Sequence, residues 1–227
     1  ADLGISDTKM SILYGFGFAI FYTTLGLPIA RLADQYDRRK IIAVGIAVWS
    51  AMTAACGLAR NYWELLAARI GVGVGEAALS PAAYSMIADT FPPQKLGRAL
   101  SVYTIGLPMG VGLALIIGGL VIEFVTQAPA YELPLVGTVK AWQLVFFVVG
   151  LPGLLVALWM ATMQEPARRR HPSERDVQPS LGATFRFLRG EWRAYGALIL
   201  GFSVLGMVMN AVQIWGVQYY VRVLGFS

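Results

Sequence analysis

The chain has 227 residues, 57% hydrophobic and only 14% charged, with a formal net charge of +5. Soluble domains carry about 25% charged residues because water must wet their surface, so this composition excludes a soluble globular fold. A single cysteine, Cys56, excludes an intrachain disulfide and a cysteine-rich metal centre.

In chain order, the first residues read as a helix start, with Ser6 or Asp7 as its cap. A transmembrane helix needs roughly 20 mostly apolar residues to cross about 30 Å of hydrocarbon. The first such run is 11–30. It lacks a basic leader and a small-residue cleavage site, so it reads as a span and not as a signal peptide. A polar turn with Arg31, Asp34, Asp37, Arg38, Arg39 and Lys40 separates it from the second run, 41–59.

The third run, 65–88, is the one with charged side chains inside it, Arg69 and Glu76. Seven residues are nearly two helical turns, so both project from one helix face about 10 Å apart along the axis. Charge within the bilayer is costly and faces a bundle interior or a water-filled cavity. Arg69 suits bidentate capture of a phosphate or carboxylate, and Glu76, near mid-span, suits a protonatable switch. A purely structural ion network with partners on other helices is the alternative. Gly71, Gly73, Gly75, Ser80 and Pro81 surround the pair. Small residues let helices approach closely in lipid, and Pro81 can kink the helix.

After Lys95 and Arg98 the fourth run, 99–122, repeats the theme with Gly106, Pro108, Gly110, Gly112, Gly118 and Gly119. Residues 123–140 read as a loop in which Pro129 and Pro134 break regular structure. Trp142 opens the fifth run, 141–164, at the interface. The stretch 165–191, rich in Arg, Pro and Ser, reads as a polar linker, and its His171 as a solvated loop residue. The last run, 194–221, carries Asn210, Gln213, Tyr219 and Tyr220, which can face a cavity or bond between helices. Continuous runs without turn residues point to helices over barrel strands. Both ends of the chain read as cut points.

Thirteen of the 18 basic residues fall in the loops after the first, third and fifth runs. The positive-inside rule makes that side cytoplasmic and both termini non-cytoplasmic. The positive charge is then accounted for by topology and anionic headgroups, without nucleic acid. No phosphate-cradling P-loop is present, which leaves an ATP-driven pump without support.

The loop with Ala30, Asp34, Gln35, Asp37, Arg38 and Arg39 resembles the Gly-x-x-x-Asp-Arg-x-Gly-Arg-Arg signature of the major facilitator superfamily. Asp34, Arg38 and Arg39 match it; Ala30, Gln35 and Asp37 replace Gly, Arg and Gly. Arg69-x-x-x-Gly73 resembles the superfamily's fourth-helix signature, and the continuation Gly73-Val-Gly75-Glu76-Ala77, running on to Ile87-Ala-Asp89-Thr-Phe-Pro-Pro, resembles the Spinster-type branch. Trp142-Gln-x-x-Phe146, Gly150-x-Pro152-Gly153 and Glu165-Pro166-x-Arg168 are similar to the sixth helix and its exit.

The resemblance implies an all-α helical bundle whose six spans are helices two to seven of twelve. Residues 1–164 would form most of the N-terminal half (spans 11–30, 41–59, 65–88, 99–122 and 141–164). Residues 165–191 would be a cytoplasmic link between the halves, and 192–227 the first helix of the C-terminal half. It implies Asp34, Arg38, Arg39 and Asp89 as a cytoplasmic conformational motif, with Asp89 paired to Arg38 or Arg39. Helix one, which carries a further acidic residue in Spinster-like members, would lie outside this sequence.

The function these readings imply is secondary active transport by alternating access, with the proton as coupling ion and no other cofactor or metal. Glu76 would carry the proton, and Arg69, Glu76, Asn210 and Gln213 would bind an amphipathic lipid such as a sphingoid phosphate or lysophospholipid. Organic anions or drugs are the alternative substrates, and a membrane-embedded lipid-modifying enzyme is the alternative class. No enzymatic role is expected, because the one histidine lies in a loop and Asp34, Asp37 and Asp89 lie at the membrane edge. The expected partners are the substrate, membrane lipids and the transporter's remaining helices, with no nucleic acid and a monomeric complete protein. A multi-pass protein of the cell membrane is expected, the inner membrane in a bacterium.

Overall fold

The computed structural model describes residues 5–125, 130–133, 137–169 and 181–225. Six helical stretches within them are long and apolar enough to cross a membrane: Asp7–Gln35, Arg38–Cys56, Tyr62–Thr90, Pro93–Phe124, Ala141–Thr162 and Trp192–Leu224. The chain divides into two compact units, Ala1–Arg169 and Arg170–Ser227.

In the first unit the Ser6 hydroxyl accepts from the Lys9 N–H at 3.3 Å and starts α1, Asp7–Ser11. A π-helical turn, Ile12–Phe16, joins it to α2, Gly17–Gln35. Asp37 caps α3, Arg38–Cys56, by accepting from the Lys40 N–H at 3.2 Å. Asn61 caps α4, Tyr62–Glu76, through the Glu64 N–H at 3.0 Å, and Glu64 reaches back to the Arg60 N–H at 2.7 Å. These reciprocal bonds satisfy amides that the first helical turn leaves open.

The third span is two helices, α4 and α5 (Leu79–Thr90), parted at Ala77–Ala78. A proline has no N–H for the carbonyl four residues back and its ring crowds it, and four residues before Pro81 is Ala77. The expected kink is therefore a break, displaced one turn toward the N-terminus. α6, Pro93–Val125, begins on a proline, which costs no hydrogen bond at a first helical position. α7, Ala141–Thr162, follows.

α3 is the centre of the unit and packs chiefly on α4 and α7. Its core mixes alanines with larger apolar side chains. One cluster holds Leu13, Cys56, Ala59, Tyr62, Leu65 and Ala68. The other holds Ala33, Ile42, Ile46, Ala82, Ala83 and Ala157. At the α3–α4 seam a Cβ on Gly75 would stand 2.5 Å from the Trp49 nitrogen and 2.8 Å from the Gly45 carbonyl oxygen. Only glycine permits that approach. α6 differs: no residue in its apolar window is buried.

Two elements depart from the expected loops. Within 123–140, β1 (Ala130–Leu133) pairs antiparallel with β2 (Gly137–Lys140), Ala130 opposite Lys140. Gly137 takes a positive φ of 81°. Four-residue strands are too short to show alternation in the sequence; Pro129 and Pro134 lie outside the described residues. Within 165–191, a helix α8, Leu181–Gly190, lies in the second unit, followed by α9, Trp192–Leu224. Arg170, His171 and Arg175 lie outside the described residues.

Candidate functional site

The first polar cluster forms where α2 ends, α3 begins, α5 ends and the chain leaves α7. Arg38 is its hub, with its side chain only 1% exposed. Its Nε donates to Glu165 Oε1 at 2.7 Å, its Nη1 to Ser85 Oγ at 2.8 Å and to Asp89, and its Nη2 to the Pro166 carbonyl at 3.1 Å. A guanidinium fixes several acceptors at once because its donors form a rigid planar fork. A buried charge is tolerated when paired and hydrogen-bonded this fully.

Arg39 adds a second layer. Its N–H donates to Glu165 Oε2 at 2.9 Å, and its side chain donates to Asp37 at 2.9 Å and to the Met163 carbonyl at 2.9 Å. Asp37 lies outside the spanning segments. Burial works against its charge, but hydrogen bonds from the Lys40 N–H and the Arg39 guanidinium outweigh burial and hold its carboxyl below the ordinary aspartate range. Asp89 also accepts from the Arg169 N–H at 3.1 Å.

Of the four residues expected in this motif, Arg38, Arg39 and Asp89 meet here, Arg38 being Asp89's ion-pair partner. Asp34 enters through its main-chain carbonyl, which accepts from Arg168. Arg168 also donates to the carbonyls of Ala33, at 2.9 Å, and Tyr36. It thereby closes the open C-terminal carbonyls of α2, a role the last helical turn leaves to be filled. Glu165 and Arg168 were not singled out as site residues, although the Glu165-Pro166-x-Arg168 run contained them.

The second site is the charged face of α4. Arg69 makes two cation–π contacts, 5.3 Å from the Tyr14 ring centroid and 5.5 Å from that of Phe146. Its Nε is buried with no hydrogen-bond partner. Among the described residues no carboxylate forms a salt bridge with it. Glu76 closes the same helix and is exposed. Asn210 and Gln213, the other expected binding residues, stand exposed on α9 in the second unit, where Asn210 donates to the Gly206 carbonyl at 2.9 Å. Tyr219 and Tyr220 touch edge to face on that helix.

The whole chain, residues 1–227, matches the family model described as Major Facilitator Superfamily. The chain belongs to that superfamily. It is therefore an integral, multi-pass membrane protein, and its likeness runs to the Spinster-like branch of these transporters. Protein spinster homolog 1 of Xenopus laevis is 30% identical over 96% of this chain and 40% of its own length. An MFS-type efflux pump of Mycolicibacterium smegmatis is 34% identical over 66% of this chain and 35% of its own. A solved bacterial homologue of the human lysosomal transporter Spinster, inward-facing and unoccupied, superposes with a TM-score of 0.78 at 31% identity. It covers 99% of this chain, which in turn covers 50% of it. The same homologue in an inward-facing, occupied conformation gives a TM-score of 0.76. This facilitator chain thus spans half or less of the length of the relatives it matches.

Proposed function

We propose that the chain supplies the ligand-handling face of a proton-coupled secondary transporter that moves an amphipathic lipid, such as a sphingoid phosphate or lysophospholipid, by alternating access. The observation that carries this reading is the guanidinium of Arg69, held within a spanning segment with a buried Nε that has no acceptor. An unsatisfied buried donor is costly, and a phosphate or carboxylate oxygen would satisfy it through a charge-assisted bond. Tyr14 and Phe146 hold the guanidinium in place. On this reading Glu76, two turns along the same helix, exchanges the proton. The Arg38 cluster stabilises one of the two conformations.

The test uses the full-length transporter in proteoliposomes. Uptake of a labelled lysophospholipid driven by a pH gradient should be abolished by Glu76→Gln, while gradient-independent exchange persists. Arg69→Ala should raise KM at least tenfold for anionic headgroups and leave neutral analogues little changed. Unchanged pH dependence in the first variant would overturn the coupling role, and unchanged headgroup preference in the second would overturn the contact.

A second reading, transport of small organic anions or drugs, draws on the M. smegmatis efflux pump and on a probable L-galactonate transporter of Escherichia coli, 26% identical over 69% of this chain. Arg69 would serve a carboxylate equally well. A thermal-shift panel of lysolipids against small organic anions separates the two.

A further inference from the structure

Where α3 ends, away from Arg38, the turn between α3 and α4 meets β2 and the first turn of α7. Together they border a cavity of about 710 Å³, lined by Gly57, Arg60, Thr138, Lys140, Trp142 and Gln143 among others. Sites for small molecules run from about 300 to 1,000 Å³. On the orientation given by the basic loops, the cavity opens on the non-cytoplasmic side. Its walls are fixed. A Cβ on Gly57 would stand 2.6 Å from the Gln143 carbonyl oxygen, so the turn rests directly on α7. The buried Gln143 side chain joins all three segments: its Nε2 donates to the Ala59 carbonyl at 3.1 Å, and its Oε1 accepts from the Lys140 N–H at 2.9 Å. A site held this way loses little freedom when it is filled.

The chemistry of the lining is one-sided. Arg60 and Lys140 are its charged residues, and among the described residues it contains no carboxylate. Glu64, four residues from Arg60, is committed to the cap of α4, accepting from the Arg60 N–H at 2.7 Å and from the Asn61 side chain at 2.6 Å. The Arg60 guanidinium forms no ion pair among the described residues. Trp142 Nε1 is buried and likewise has no acceptor among them, while Phe146 holds the indole ring edge on at 6.1 Å. Guanidinium, ammonium and indole N–H donate and cannot accept. The N-terminal amides of α7 stand in the same wall, where the helix dipole favours an anion. Such a lining is matched by a ligand that only accepts and carries negative charge.

We propose that this cavity is a binding site for a phosphate ester. Arg60 and Lys140 pair with the phosphate, and Trp142 donates to one of its oxygens through a charge-assisted bond. The volume accommodates the organic part of an ester, which a bare ion would leave unfilled. A soluble ester and a phospholipid headgroup present the same chemistry here, because Trp142 opens its span at the interface. Arg69 is not part of the lining, so the site is separate from the charged face of α4 and holds whichever substrate is carried.

The test is proton–nitrogen correlation NMR of the indole groups of the full-length transporter in maltoside micelles, with Trp142 assigned by its loss in Trp142→Phe. Glycerol phosphate and short-chain phosphatidylglycerol are titrated separately, with glycerol as the neutral blank. The Trp142 resonance should move saturably with at least one of the two esters and stay still with glycerol. A response to the lipid alone identifies the headgroup as the source, and a response to glycerol phosphate shows that a soluble ester suffices. Arg60 is exposed in the turn, so Arg60→Gln should fold and weaken the apparent affinity about tenfold, with most of it restored in Arg60→Lys. Because Phe146 touches both Trp142 and Arg69, Arg69→Ala is the control and should leave the titration unchanged. No response to either ester, or an equal response to glycerol, would overturn the proposal. So would a response that is lost in Arg69→Ala and intact in Arg60→Gln.

Discussion

Two helices of the first unit are rich in glycine, and the glycines do opposite things. On α4, a Cβ at Gly71, Gly73 or Gly75 would stand 3.0 Å or less from a neighbouring helix. On α6, a Cβ at Gly106, Gly110, Gly112, Gly118 or Gly119 would meet nothing within 4 Å. The same residue type is a packing seam in one place and an unfilled surface in the other. A small-residue stripe in a membrane helix therefore identifies a surface capable of close approach, and the neighbouring helices decide whether it is used. The α4 side is also the side fastened by the Arg38 cluster, through Ser85 and Asp89 of α5.

The largest expected effect lies in that fastening. Arg38→Ala leaves Asp89 and Glu165 without their common partner, and breaking a buried pair from one side costs about 3–5 kcal/mol. With Asp89 16% and Glu165 24% exposed, we expect the lower end, about 3 kcal/mol, as a marked fall in thermal unfolding midpoint. Next, Gly75→Ala forces backbone apart at Trp49 and Gly45 and should cost about 1–3 kcal/mol, read as a lower midpoint. An unchanged midpoint would break the contrast at its packed end.

Asp37→Ala removes the α3 cap and should cost about 1 kcal/mol. Because the folded-state carboxyl titrates below its ordinary range, its contribution is complete above the unfolded-state value and disappears as pH falls through the folded-state value. The wild-type advantage over Asp37→Ala should accordingly vanish in strong acid and be flat from pH 5 upward. Smallest, and opposite in sign, is Gly112→Ala on α6. With open space around it, alanine should raise stability by roughly 0.5–1 kcal/mol through helix propensity. If it instead lowered stability, α6 would have a close neighbour in the full-length protein.

Much of this was legible in the sequence because run length and charge are local properties. The six spans followed from apolar runs, and a pairing of Asp89 with Arg38 or Arg39 from the signature blocks; that Asp37 caps α3 was not read. The third span's break was half legible: Pro81 announced a disturbance, but the affected carbonyl lies a turn earlier, at Ala77. The hairpin was hidden because strands of four residues give no usable period. α8 was hidden because ten residues with two arginines and two glycines read as polar linker until their angular positions are considered. Arg168 was out of reach for another reason. Its acceptors are main-chain carbonyls, which every residue possesses, so no side-chain pattern marks the pairing.

That same clasp has a consequence for how the protein is made. Arg168 and the carbonyls it binds at Ala33, Asp34 and Tyr36 are 132 to 135 residues apart in the chain. A ribosome adding about 5–20 residues per second takes roughly 7–27 s to pass from one to the other. Throughout that interval the exit of α2 has no Arg168 to close it, so this end of the unit is locked only after α7 has been made. Slow translation or an arrest upstream of Arg168 would leave an inserted bundle with an unfinished rim, the kind of species that membrane quality control has time to find.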